Sequence, residues 1–447
     1  MPRVKKQPEA AAAEAKTIVA YKGFNEHFEC TPAGVTFQYE VGKTYRQDGP
    51  IEACRTGFHA CEHPLDVLRY YPPSTSRFAV VELGGETARE KGGDSKIAAA
   101  EITIKAEIRL PELIQATVRY VMDRVKWIDG NVASGECEAV KEPAHGGAAT
   151  ASGDWGAATA SGVGGAATAS GYQGAATASG YQGAATASGD CGAATASGTC
   201  GAATASGTCG AATASGNYGA ATASGWRGAA TASGDWGAAT ASGDRGAATA
   251  SGNRGAATAS GVGGAATASG DCGAATASGA GGAATASGAG GAATASGDWG
   301  AATASGWRGA ATASGDCGAA TASGNRGAAT ASGVGGAATA SGDWGAATAS
   351  GDRGAATASG DWGAATASGN RGAATASGNR GAATASGYQG KARGKEGNAL
   401  FLVERNGAGE IVNVWAGIAG RDGIEPMAWY RLEHGKPVKV EDEAEED

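Results

Sequence analysis

The residues best suited to chemistry crowd into one short stretch, CRTGFHACEHP, which holds Cys54, His59, Cys61, Glu62 and His63, with Cys30 upstream. Thiols and imidazoles are zinc ligands, and in a strand His59, Cys61 and His63 would share one face. The spacing C-x4-H-x-C-x-H fits no finger or ribbon, so these three are weak metal candidates and no metal is expected. Cys61 beside His59 is also the pairing that a thiolate nucleophile needs. No third group completes such a site, so no catalytic residue is assigned and the plainer reading is structural.

A second set lies further along. Trp155, Trp226, Trp236, Trp299, Trp307, Trp344 and Trp362 all fall in the two variable positions of a nine-residue repeat whose other residues are small. Large rings on a surface of methyls and hydroxyls suggest contact with a partner or a second copy. Packing over a turn is the plainer alternative. No phosphate loop of the G-x-x-x-x-G-K-[ST] kind is present, and no G-x-x-G of the repeat joins a strand to a helix.

The elements that would position these residues fall into three parts. In the N-terminal part TIVAYKGF, TFQYEVGKTY, SRFAVVELGG and KIAAAEITIKAEI read as strands. HPLDVLRYYP reads as a short helix with Pro64 in its first turn. In LPELIQATVRYVMDRVKW, Leu113, Ile114, Thr117, Val118, Val121, Met122 and Val125 recur on one helical face. The C-terminal part reads as β, with a hairpin punctuated at Asn406-Gly407.

Between them AATAS recurs every nine residues, from Thr150 to Thr384, in 27 copies without a change inside the core. Written G-x-x-G-A-A-T-A-S, the unit resembles the calcium-binding nonapeptide of RTX proteins. The first and fourth glycines match, but the calcium-ligating Asp of the sixth position is replaced by Ala in every copy. The resemblance implies a parallel β-roll, two nonapeptides per coil, without the calcium. Period-two alternation would then turn the second and third alanines inward, and the first Ala, Thr and Ser outward. Methyl burial alone cannot offset the entropy of fixing nine backbones, so the hydrogen-bond ladder between coils must hold the structure. A disordered Gly/Ala/Ser linker and a triangular solenoid of three units per coil are the alternatives. VASGEC at 132–137 and GKARGKEG after Tyr388-Gln389 read as worn copies, as end caps of an array should.

The fold expected is therefore mainly β: a parallel β-solenoid between an N-terminal α+β domain and a small C-terminal β cap. The boundaries are 1–16 flexible, 17–130 head, 131–396 solenoid, 397–440 cap and 441–447 acidic tail. The net charge of −8 comes with no basic stripe, so nucleic acid is not an expected partner. No apolar run is long enough to span a membrane. With nine irregularly spaced cysteines and an N-terminus that does not read as a secretory signal, a reducing cytoplasm is the expected location.

The order YKGF, FQYEVGKTY, CRTGFHACEHPLDVLRYYP, SRFAVVEL, then alanine-rich nonapeptides, resembles uncharacterised proteins of phages, prophages and bacteria. The resemblance implies a phage or prophage origin and brings no activity with it. The N-terminal part also resembles ADP-ribosyltransferase-like folds, with no catalytic glutamate or NAD-binding residue assignable. The function expected is non-enzymatic: a rigid shaft displaying a head and binding a protein partner or itself, without a cofactor. The alternatives are an enzymatic or ligand-binding head on a passive shaft, and an ice-binding solenoid.

Overall fold

The computed structural model describes residues 17–31, 36–53, 55–89, 95–124, 126–127, 132–134, 138–144 and 146–441. Cys54, Val125, residues 135–137 of the first worn repeat, the N-terminal sixteen residues and the acidic tail beyond 441 lie outside them, as do the side chains of Met122, Lys126 and Trp127. The chain divides into two compact units, the second comprising residues 72–74 and everything from Ile114 onward.

The first unit is built on β1 (Ile18–Phe24), β2 (Glu29–Cys30), β3 (Phe37–Gln38), β4 (Thr44–Arg46), β5 (Phe58–Cys61), β6 (Arg77–Arg89) and β7 (Lys96–Ile108). Five of these form an antiparallel sheet in the order β4-β7-β5-β1-β6, with β6 also paired to β7. Alternate residues of the long strands, among them Val81, Leu83, Ile102 and Ile104, make its core together with Phe24, Phe28 and Tyr39. TFQYEVGKTY is not one strand. Its backbone turns at Gly42, which has a φ of 86°, a conformation that glycine reaches without a Cβ penalty. HPLDVLRYYP forms a 3-10 helix over Pro64–Arg69 rather than an α-helix. The segment is short, and the side chain of Asp66 leaves it to accept hydrogen bonds from Ser95 N and Oγ at 3.0 and 2.6 Å.

The helix expected after β7 is present as α1 (Leu110–Met122), with Leu113, Ile114, Thr117 and Val121 buried on one face. Val121 packs against Ala139, Ala157 and Ala175 of the second unit's first coils.

That second unit is the solenoid. After β8 (Lys126–Trp127), β9 (Val132–Ala133) and β10 (Glu138–Glu142), the strands β11 (Ala148–Ala151) to β37 (Ala382–Ala385) are each one AATA. Each of these strands pairs in parallel with the next but one, and within the array Thr stands on Thr, as in Thr294↔Thr312. Two nonapeptides therefore make one coil, and the triangular alternative is excluded. The second and third alanines of each unit are buried, forming one continuous methyl core, while the first Ala of most units and the Ser are exposed. Thr, expected to look outward, is half-buried in most units because its neighbours in the ladder crowd it. Val132 and Ala133 pair with Thr150 and Ala151, so the worn N-terminal repeat does form part of a coil.

The corners explain the glycines. Nearly every G-x-x-G is a β-turn closed by a bond from the second Gly N–H to the first Gly carbonyl, for example Gly309 to Gly306 at 3.0 Å. A Cβ on the first glycine would strike the coil before it: at Gly306 it would stand 1.6 Å from the Gly288 carbonyl oxygen. The two variable residues stack along the edges, and the N–H of the second donates to a neighbouring coil's carbonyl. That bond points backward in Arg227 N→Thr208 O and forward in Arg245 N→Val262 O, so the turn peptide is reversed between these coils. The opposite edge reverses between Arg326 and Trp344. Beyond each reversal the second variable residue adopts positive φ, and an Asp in the first accepts from the next coil, as in Val334 N→Asp316 Oδ1 at 3.0 Å.

The C-terminal end is closed by β38 (Lys391–Gly394), β39 (Ala399–Arg405), β40 (Ile411–Ile418), β41 (Trp429–Glu433) and β42 (Lys436–Val440). Arg393 pairs with Thr375, where the next Thr would stand. The expected hairpin is β39–β40, with a wider loop than Asn406-Gly407 alone suggests: its positive φ falls at Gly409. Leu400, Leu402, Ile424 and Leu432 continue the methyl core with larger side chains. Buried Asn398 replaces the next coil's backbone, accepting from Gly381 N and donating to the carbonyls of Ala376 and Gly378, all at 2.8 Å. Asn398→Ala leaves these groups unmet and should cost the cap about 3 kcal/mol. Hydrogen exchange should show β37 to β39 losing protection while coils near residue 250 keep theirs, because each coil touches only its neighbours.

Candidate functional site

The first unit carries a cleft of about 710 Å³ whose wall includes Lys22, His59, Cys61, Tyr70, Tyr71 and Lys96. Strand pairing sets part of that wall. Cys61 stands between Lys96 on β7 and Tyr21 on β1, so the three form one row across the sheet. Gly23 lets the ring of Tyr71 lie on the backbone of β1, since a Cβ there would fall 2.4 Å from that ring. The Tyr71 hydroxyl donates to Cys30 Sγ at 3.0 Å, and burial raises its pKa.

Charge in the cleft is positive. Lys22 is only 6% exposed, and its ammonium donates to the His59 carbonyl at 2.9 Å and lies 5.4 Å from the Tyr39 ring. Lys96 Nζ donates to the Tyr70 hydroxyl at 3.0 Å. Burial pushes the His59 imidazole below its usual range, and the ammonium groups of Lys22 and Lys96 push it the same way. His59 is thus held neutral beside two cations. Among the described lining residues there is no carboxylate.

The three weak metal candidates do not form one ligand set. β5 ends at Cys61, so the shared strand face does not extend to His63, which lies fully buried with Nδ1 3.8 Å from Asp66 Oδ1. Among the described residues no group of three His, Cys, Asp or Glu side chains is placed to hold a metal ion. Lys22, Lys96, Tyr70 and Tyr71 were not singled out by sequence reasoning. The available signals were a glycine inside a strand, at Gly23, and a Tyr-Tyr pair just before two prolines.

The tryptophans occupy both edges of the solenoid. Trp226, Trp236, Trp299, Trp307, Trp344 and Trp362 are exposed. Trp155 departs from that expectation: it is half-buried, its ring 6.0 Å from Tyr120. Some rings stack along an edge. Trp344 and Trp362 lie 5.2 Å apart and nearly parallel, with Arg380 5.1 Å over the second. Tyr218 and Trp236 repeat the arrangement with Arg254 4.5 Å over the indole. Edge packing over turns therefore accounts for part of the pattern. Trp299 has no such explanation: it is 73% exposed and sits at φ 60°.

Residues 18–116 match the model of a domain of unknown function, DUF7666. No curated protein and no solved structure matches the chain. The family match covers the strands of the first unit and all the cleft residues named above. No helix among the described residues is long and apolar enough to cross a membrane.

Proposed function

We propose that the protein is a non-enzymatic interaction protein whose solenoid is a rigid shaft, associating with a protein partner or a second copy through its edge aromatics and flat faces. A phage or prophage setting and a cytoplasmic location belong to the same reading. The observation that carries it is the backbone under three indoles. Trp299, Trp344 and Trp362 have φ of 60°, 62° and 62°, a region unfavourable for a bulky residue, and all are exposed. The equivalent corner is filled by Gly263, Gly281 and Gly335, and at a similar φ by Arg245, Cys317, Arg353 and Gln389. The positive φ belongs to the turn form, but a turn that Gly, Arg, Cys and Gln also fill needs no indole, and a ring left in water there is poorly explained by folding, whereas binding supplies a reason.

Self-association is the arm of this reading measurable without a known partner. Replacing Trp299, Trp344 and Trp362 together by glycine should leave the β circular-dichroism signal intact, since glycine relieves the strain. Sedimentation equilibrium between about 1 and 100 μM should show wild type associating and the triple variant at least ~10-fold weaker, which is about 1.4 kcal/mol. Association of equal strength in both would remove the aromatics from the interface, and a wild type monomeric throughout would remove self-association.

A further inference from the structure

We propose that the cleft of the N-terminal domain binds a small phosphate monoester carrying a flat ring, with Lys22 and Lys96 meeting the phosphate and Tyr70 and Tyr71 flanking the ring. This goes beyond the shaft and does not rest on it.

Three observations converge on that ligand class. The first is charge. Lys22, Lys96 and Arg55 line one cleft with no carboxylate among its described lining residues; Arg55 Nη1 lies 3.6 Å from Glu52 Oε2, outside that lining. A buried ammonium such as Lys22 is expensive without a counter-charge. The recorded contacts of Lys22, one carbonyl and two rings, supply dipoles and π-faces but no full negative charge. A phosphate monoester brings between one and two negative charges at neutral pH. The second is shape. The cleft holds about 710 Å³, room for a ring and a phosphate together, and Tyr21, Tyr70 and Tyr71 are among its lining residues. The third is chemistry at the wall. The neutral His59 stands where a bound dianion would favour its protonated form, turning the imidazole into a further donor.

Gly23 is part of the same design. Only a residue without a Cβ lets Tyr71 lie against β1, so the glycine shapes the floor under the ring. Cys61 shares the row with Lys96 and Tyr21 and is buried. Its thiol is assigned no bond-making role.

The test uses the full chain and isothermal titration at low salt with AMP, GMP, CMP and UMP, and with adenosine and inorganic phosphate as half-ligands. At least one monophosphate should bind with a dissociation constant below about 1 mM, each half-ligand at least ~10-fold more weakly. Lys96→Ala, at the half-buried start of β7, should weaken that monophosphate at least ~10-fold with the melting temperature unchanged. Tyr70→Leu, an exposed position, is the second variant and should weaken adenosine and monophosphate alike. In proton NMR, the bound monophosphate should move the His59 titration to higher pH. The proposal is overturned if none of the four monophosphates binds at 5 mM. It is equally overturned if Lys96→Ala and Tyr70→Leu bind as wild type, or if His59 titrates unchanged when the ligand is present.

Discussion

Ala293→Asp should unfold the middle of the solenoid locally, whereas Ala292→Asp one residue earlier should be nearly silent. Both residues are in the same strand and differ only in the face they occupy: Ala293 is in the methyl core, and Ala292 is exposed. The space around Ala293 is filled by other alanine methyls, so a carboxylate there finds neither water nor a donor. The penalty should be about 4 kcal/mol or more, against less than about 0.5 kcal/mol for the exposed site. Hydrogen exchange followed by mass spectrometry reads the difference directly. Ala293→Asp should lose protection over the flanking coils, with the cap and the N-terminal unit unaffected.

The second large effect is at the corners. Gly288→Ala places a Cβ 1.7 Å from the Gly270 carbonyl oxygen, a distance no rotamer can relieve because the Cβ is fixed by the Cα and the oxygen is backbone. The coils must separate there, breaking several ladder bonds, at a cost of about 3 kcal/mol or more. Gly290→Ala, two residues later in the same turn, meets nothing nearer than 3.6 Å and requires no positive φ. It should be neutral or stabilising by about 0.5 kcal/mol, because alanine restricts the unfolded chain. Thermal melts of the pair separate a required glycine from an incidental one.

These contrasts show what the repeat disclosed on its own. Two alanines spaced two apart inside an invariant AATAS specify an inward face, and the spacing of the glycines marks the corners. That two units rather than three close a coil is seen in the pairing of Thr294 with Thr312. The reversal of the turn peptide between Arg227 and Arg245 was hidden, because both turn forms are compatible with the same G-x-x-G. So was the role of Asp in the first variable position, which changes with that reversal: beyond it Asp244, Asp298, Asp316 and Asp352 accept from a backbone N–H of the next coil.

The N-terminal unit was read less completely, for a different reason. Its long strands alternate clearly, and β6 and β7 were found. The cleft was not, because its wall joins residues 22, 59, 70 and 96, which no local pattern links. The cluster that attracted attention, His59, Cys61 and His63, is divided by the end of β5: two members line the cleft and the third is buried beside Asp66.

The distance between two labels on one edge tests the two-unit coil most directly. Val163 and Asn325 are exposed, on the same edge and nine coils apart. Bio-orthogonal spin labels at these sites, leaving the native cysteines in place, should give a narrow double electron–electron resonance peak near about 43 Å, at ~4.8 Å per coil. A narrow peak near about 29 Å would mean three nonapeptides per coil, and a broad distribution centred beyond about 60 Å a flexible tether; either result would contradict the stacked methyl core.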